Sequence, residues 1–170
     1  KVTRRDALHL ALMSSENRMA SALGRHYPGG RSAFIRAMNN KARQLGMRNS
    51  RFYDSTGLST RNVSTARDLA KLIAAAYRQP LIRQFTQDTN KEMRFSTPAY
   101  SLMFNNTNPL VKNPDWDVRL SKTGYTDEAG RCLLMRAKPD RQELAIVLLN
   151  SVGKRTPIGD ANRIRKWLKS

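Results

Sequence analysis

The segment Glu143–Asn150 constrains the fold of this chain more than any other, because it predicts a strand that is apolar on both faces. Successive side chains of a strand point to opposite sides of the sheet. Here both sets are aliphatic: Leu144, Ile146 and Leu148 on one side, Ala145, Val147 and Leu149 on the other. Such a strand needs a cover on each face. The sequence therefore predicts a sheet with helices on both sides.

The rest of the second half supports this interpretation. Asp117–Tyr125 and Arg131–Ala137 are also typical of strands, and the connection Lys138–Arg141 is short enough to join antiparallel neighbours. Gly159–Leu168 predicts a closing helix whose apolar face supplies one cover. The predicted fold class is α/β of the α+β kind, an α/β/α sandwich with an antiparallel sheet.

The first half of the chain predicts helices. Thr3 followed by Asp6 forms a capping pattern, and the apolar spacing after it predicts a helix to about Met13. The polar stretch Ser14–Asn17 interrupts this helix. The further predicted helices are one ending near Gly24, Ser32–Leu45, one capped by Thr65 that runs to about Tyr77, and a short one after Pro80. We expect a single partial domain over residues 1–170, with its helical part at about 3–85 and its sheet and closing helix at about 91–170.

Charge and composition narrow the function classes. The chain has 31 Lys and Arg against 13 Asp and Glu, a net charge of +18, which favours an anionic partner. The cations are dispersed and accompany no zinc-finger spacing, aromatic nucleic-acid motif or basic heptad, so nucleic acid is not the predicted partner. The single cysteine, Cys132, excludes an intrachain disulfide and is expected to be a small buried residue on a strand. His9 and His26 are interpreted as a helix-surface residue and a helix-end residue, without a catalytic role.

Two short polar motifs carry the candidate chemistry: Ser15-Glu16-Asn17 between two helices, and Lys122-Thr123-Gly124 on a predicted strand. Alone, the first is typical of a helix cap and the second of a surface strand. Acyl transfer needs a hydroxyl, a base, donors for an oxyanion and a positive group for an anionic substrate. Lys122 would supply the positive field, and Thr123 would donate its hydroxyl to a carboxylate. Gly124, which lacks a Cβ, would let an extended peptide pair with the strand.

The order and separation of these motifs resemble those of the penicillin-recognising serine enzymes. The segments Phe52–Leu58, Ser64–Leu69 and Asn105–Leu110 are also similar to loops and helices of the low-molecular-weight penicillin-binding proteins. Within that family, Ser14–Gly30 is most similar to the D-alanyl-D-alanine endopeptidases of Gram-negative bacteria. The resemblance covers nearly the whole chain and implies a β-lactamase/transpeptidase-like fold.

The same resemblance implies roles for three more residues. Ser15 would relay a proton to the leaving amine, Asn17 would hold the substrate amide, and the backbone N–H of Tyr125 would form half of the oxyanion hole. It also implies a serine D,D-peptidase that hydrolyses D-alanyl bonds of peptidoglycan peptides and cross-links through an acyl-enzyme. β-Lactams would inhibit it, and no metal or organic cofactor is implied. The implied location is the periplasm, where a basic protein also suits peripheral association with the membrane or cell wall.

One part of the family pattern does not precede Ser15. In the family, the acylated serine and the general-base lysine lie in a Ser-x-x-Lys motif upstream of Ser-x-Asn. The only match to this motif in the chain is Ser151–Lys154. It follows a predicted strand and comes after Lys-Thr-Gly, so its order in the sequence is wrong. We interpret that match as chance and expect residues 1–170 to be the carboxy-terminal part of a longer enzyme, incomplete at the N-terminus. Two alternatives stay open: a non-catalytic peptidoglycan-binding module and, less favoured, a basic nucleic-acid-binding domain.

Overall fold

The computed structural model describes residues 1–170 and begins with five helices. They are α1 (Arg4–Met13), α2 (Asn17–Arg25), α3 (Gly30–Gln44), α4 (Ala66–Tyr77) and α5 (Pro80–Gln87). Thr3 and Thr65 cap α1 and α4, because each hydroxyl accepts the backbone N–H three residues further along the chain. The predicted helices are confirmed. None of them is both long and apolar enough to cross a membrane.

The second half contains two antiparallel sheets rather than one. Its elements are β1 (Asn90–Ser96), β2 (Ala99–Asn105), β3 (Val118–Thr126), β4 (Gly130–Ala137), β5 (Leu144–Ser151) and α6 (Thr156–Trp167). The main sheet has the order β3-β4-β5, which confirms the three predicted strands, and β1 and β2 form a separate hairpin. The sequence analysis did not identify this hairpin, although apolar residues alternate in both strands: Met93 and Phe95 in β1, and Tyr100, Leu102 and Phe104 in β2.

Helices lie on both faces of the main sheet, as expected. On one face, Ala161 of α6 packs with Leu133, Met135 and Ile146 in the largest buried cluster. Helix α4 also packs against β4 and β5 but adds no residue to that cluster, which places it on the other face. The second cover is partial: Ala145 is exposed and Leu149 is 38% exposed. Strand β5 is an edge strand, so its outer side chains are shielded from one side only.

Trp116 anchors the segment before β3. Its side chain is fully buried, and its Nε1–H donates a hydrogen bond of 3.2 Å to Oδ1 of Asn162 on α6. This contact fixes the start of β3 against the closing helix.

Candidate active site

Ser15 lies in the turn between α1 and α2, with its backbone in the left-handed region at φ +57°. The turn is held from the N-terminal side, because the Ser14 hydroxyl and the Glu16 N–H both donate to the Leu10 carbonyl. Glu16, not Ser15, caps α2 by accepting the N–H of Arg18 at 3.1 Å. The capping role that the residue types suggest therefore belongs to Glu16 and leaves the Ser15 side chain free to reach β3. A non-glycine residue in the left-handed region is uncommon and is enriched at functional sites.

The Ser15 hydroxyl meets Lys122 on β3. The Lys122 ammonium donates to Ser15 Oγ and, at 2.7 Å, to the carbonyl of Thr123. Burial lowers the pKa of Lys122 to about 8. The lysine is therefore mainly charged at pH 7, with a neutral fraction that increases as the pH approaches 8.

The Thr123 hydroxyl donates a hydrogen bond of 2.6 Å to the hydroxyl of Thr107. Thr107 in turn donates its backbone N–H to the carbonyl of Met13, the last residue of α1, at 3.3 Å. The neighbouring Asn108 is buried and donates to the Ser121 hydroxyl at 3.1 Å. This loop links the helical part of the site to β3. Sequence reasoning missed the contribution of Thr107, which only the turn-rich stretch Asn105–Pro109 indicates.

One edge of β3 pairs with β4, and the other edge is unpaired. Gly124 lies on this strand, and a Cβ added to it would meet only the Cβ of Cys132, at 3.8 Å. The fold itself therefore does not require glycine at this position. Tyr125 follows with a side chain that is 53% exposed, and its hydroxyl donates to Asp127 at 2.6 Å.

A single cavity of about 690 Å³ joins these residues. The six predicted site residues all line it: Ser15, Asn17, Lys122, Thr123, Gly124 and Tyr125. Asn17 enters it as the first residue of α2. Cys132 also lines the cavity and is only partly buried, so the expectation of a buried thiol is wrong; its strand β4 is adjacent to the edge strand.

The position of His9 differs from its sequence interpretation, whereas the segment Ser151–Lys154 agrees with its interpretation. His9 is not on the helix surface: its ring is buried, with its centroid 4.2 Å from that of Phe85. The match Ser151–Lys154 begins at the last residue of β5 and continues into the following turn, so it lacks the helix start that would direct both side chains together. Ser151 does not line the cavity.

The sequence matches the family model for D-alanyl-D-alanine carboxypeptidases over residues 1–153. The D-alanyl-D-alanine endopeptidases of Pseudomonas aeruginosa and Escherichia coli are 49% and 50% identical over 170 residues. These alignments cover 100% of this chain and 55% of each relative, so the chain spans about half the length of the curated relatives it matches.

Solved structures agree with the fold. The crystal structure of a Streptomyces DD-transpeptidase superposes with a TM-score of 0.88 at 26% identity and covers 98% of this chain and 67% of that one. A penicillin-binding protein of Listeria monocytogenes in its ampicillin-bound form gives a TM-score of 0.82 at 25% identity, with 97% of this chain and 66% of that chain covered. The β-lactamase/transpeptidase-like fold is confirmed, and the chain belongs to the D-alanyl-D-alanine carboxypeptidase family.

Proposed function

We propose that residues 1–170 form the substrate-binding and proton-transfer part of a serine D,D-peptidase that cleaves D-alanyl bonds in peptidoglycan. The observation that carries this proposal is the hydrogen bond from the Lys122 ammonium to the Ser15 hydroxyl, in a cavity beside the unpaired edge of β3. A proton carrier next to a strand edge is what the cleavage of an extended peptide needs.

The substrate lies along the free edge of β3 as an added strand. Thr123 turns its hydroxyl from Thr107 to the terminal carboxylate of the peptide, and the charge of Lys122 strengthens this contact. Gly124 gives the peptide backbone close access. The Tyr125 N–H donates to the oxygen of the D-alanyl carbonyl, where negative charge develops during acyl transfer.

Proton transfer uses the pair of Ser15 and Lys122. A nucleophilic serine that lies outside residues 1–170 attacks the D-alanyl carbonyl, gives its proton to the general-base lysine of the same Ser-x-x-Lys motif and becomes acylated as the bond to the leaving amine breaks. Ser15 gives its proton to that amine and is reprotonated through Lys122, whose lowered pKa of about 8 suits this exchange. Asn17 donates to the substrate amide and holds the carbonyl in line. Water then hydrolyses the acyl-enzyme.

Cross-linked peptides are the proposed substrates, and penicillin is the proposed acylating inhibitor. The two relatives with about half of their residues identical to this chain are named endopeptidases, and a structural neighbour was solved with ampicillin bound. A peptidoglycan substrate places the enzyme in the periplasm, and the charge of +18 suits peripheral contact with an anionic membrane or wall polymer.

Hydrolysis assays on the full-length protein test the proposal. We expect release of D-alanine or cleavage of cross-linked muropeptides, blocked by prior incubation with penicillin. Peptide binding without any turnover would instead support a non-catalytic peptidoglycan-binding module. Salt-sensitive retention on DNA without penicillin labelling would support the nucleic-acid alternative.

A further inference from the structure

The charged residues that line the cavity are all cations: Lys122, Arg131, Lys154 and Arg155. No aspartate or glutamate lines it. Because the chain carries 18 more cations than carboxylates, an unpaired cation is common on its surface. The informative feature is that four cations converge on one concave site. Lys122 belongs to the proposed proton-transfer pair, so three cations remain without a partner.

Arg131 is the second residue of β4 and lies opposite the C-terminal part of β3. It pairs across the sheet with Tyr125 on β3 and with Ser151 on β5. Its guanidinium carbon lies 4.2 Å from the centroid of the Tyr125 ring. This stacking restrains the guanidinium group while its N–H donors stay available for an anion. Asp127, the acceptor of the Tyr125 hydroxyl, does not line the cavity.

Lys154 and Arg155 follow Ser151, the last residue of β5. Because Ser151 lies opposite Arg131 in the sheet, the segment that carries these two cations starts beside Arg131. The loop has a fixed shape, because Gly153 and Thr156 exchange two hydrogen bonds. The Gly153 N–H donates to Thr156 Oγ1 at 3.1 Å, and the Thr156 N–H donates to the Gly153 carbonyl at 3.1 Å. Neither Lys154 nor Arg155 has a carboxylate within ion-pair distance.

We infer that Arg131, Lys154 and Arg155 recognise a second carboxylate, carried by a side chain of the peptide substrate. This inference rests on the proposed function, in which Lys122 and Thr123 take the terminal carboxylate. A substrate with only that one negative charge would leave three cations uncompensated in a concave site, where charges are less screened than on an open surface. A dianionic peptide matches the charge of the site. The enzyme therefore selects acidic peptides through Arg131, Lys154 and Arg155, which together form the cationic wall of the cavity.

Two synthetic peptides test the selection on the full-length protein. Both are acetyl-X-D-alanyl-D-alanine, in which X is L-2-aminoadipate or the matching ω-amide, so they differ only in the side-chain charge. We expect kcat/KM to favour the acid by about 10- to 100-fold, as for one charge-assisted contact. The variant Arg131→Gln/Lys154→Gln/Arg155→Gln should bring this ratio close to one. If it does not fold, Lys154→Gln/Arg155→Gln, which changes only the exposed loop, should still lower the ratio.

The control variant is Arg31→Gln/Arg36→Gln/Lys41→Gln, which removes the same charge from exposed positions of α3 outside the cavity. It should keep the ratio of the unmodified protein. Equal cleavage of both peptides by an unmodified protein that penicillin acylates would overturn the inference and leave the proposed function intact. An equal fall of the ratio in the control would also overturn it, since long-range charge would then explain the selection. Failure both to cleave the peptides and to react with penicillin would count against the proposed function itself, whereas a protein that penicillin acylates but that cleaves neither peptide would overturn the inference alone.

Discussion

The Lys122 ammonium on β3 donates a hydrogen bond to the Ser15 hydroxyl, although the two residues are 107 positions apart in the sequence. Around this contact, the turn between two helices and an edge strand together line a single cavity. If this contact serves chemistry rather than folding, loss of the Lys122 side chain should impair the reaction.

Replacement of Lys122 by alanine should slow penicillin acylation of the full-length protein by about 100-fold or more, because it removes both a charge and a proton-transfer group. The second-order acylation rate measures this effect. Lys112→Ala, at an exposed position outside the cavity, is the matched control and should acylate at the normal rate. Normal acylation of the Lys122→Ala variant would remove Lys122 from the proposed machinery.

The pKa of Lys122 predicts a pH dependence of substrate binding. Burial lowers this pKa to about 8, so the side chain is charged below that pH and becomes neutral above it. If the charge binds the terminal carboxylate, KM for a D-alanyl-D-alanine peptide should rise by up to about tenfold for each pH unit above 8. The same peptide with a C-terminal carboxamide should show no such rise. A KM that stays constant for the carboxylate peptide would contradict the role of the charge.

Substitution of Gly124 shows whether glycine is needed at this position for peptide binding or for the stability of the fold. A Cβ at this position meets nothing closer than 3.8 Å, so Gly124→Ala should change the unfolding free energy by no more than about 0.5 kcal/mol. It should nevertheless lower kcat/KM by about tenfold, because the methyl group projects from the strand that a peptide is proposed to join. Gly159→Ala, whose Cβ also has 3.8 Å of space but lies in α6, should leave kcat/KM unchanged. Equal kcat/KM for both variants would show that peptide does not approach at Gly124.

Asn108 is predicted to hold the loop that carries Thr107. It is 1% exposed, accepts the Leu110 N–H at 3.1 Å and donates to Ser121. Asn108→Ala leaves these buried groups without partners and should lower the free energy of unfolding by about 1–3 kcal/mol. Urea denaturation of the full-length protein measures the loss. Asn90→Ala, at an exposed position, should be close to neutral, and an equal loss there would argue against a specific role for Asn108.

Features with local causes could be predicted from the sequence. Thr3 and Thr65 cap their helices through residues three positions away, and the apolar residues on both faces of β5 indicated a sheet with helices on both sides. The β1–β2 hairpin was missed although apolar residues alternate in both of its strands: Met93 and Phe95 in β1, and Tyr100, Leu102 and Phe104 in β2. His9 was misplaced because its burial depends on Phe85, which lies 76 positions away along the chain and comes from another helix.

In the candidate site, too, single residues could be predicted from the sequence, whereas the contacts between them could not. The motifs identified Ser15 and Lys122 as candidates, but neither motif contains the information that their side chains touch. The bond between Thr123 and Thr107 and the cationic wall of the cavity likewise arise from tertiary packing. Residues of ordinary surface type, such as Arg131, acquire a candidate role only when the fold brings them to one cavity.

Intact-mass spectrometry of the full-length protein after incubation with penicillin, followed by peptide mapping, identifies the residue that penicillin acylates. The expected result is one covalent penicillin adduct, on a serine outside residues 1–170, whose formation requires Lys122. An adduct on Ser15 or Ser151, or no adduct in a protein that still cleaves D-alanyl peptides, would contradict it.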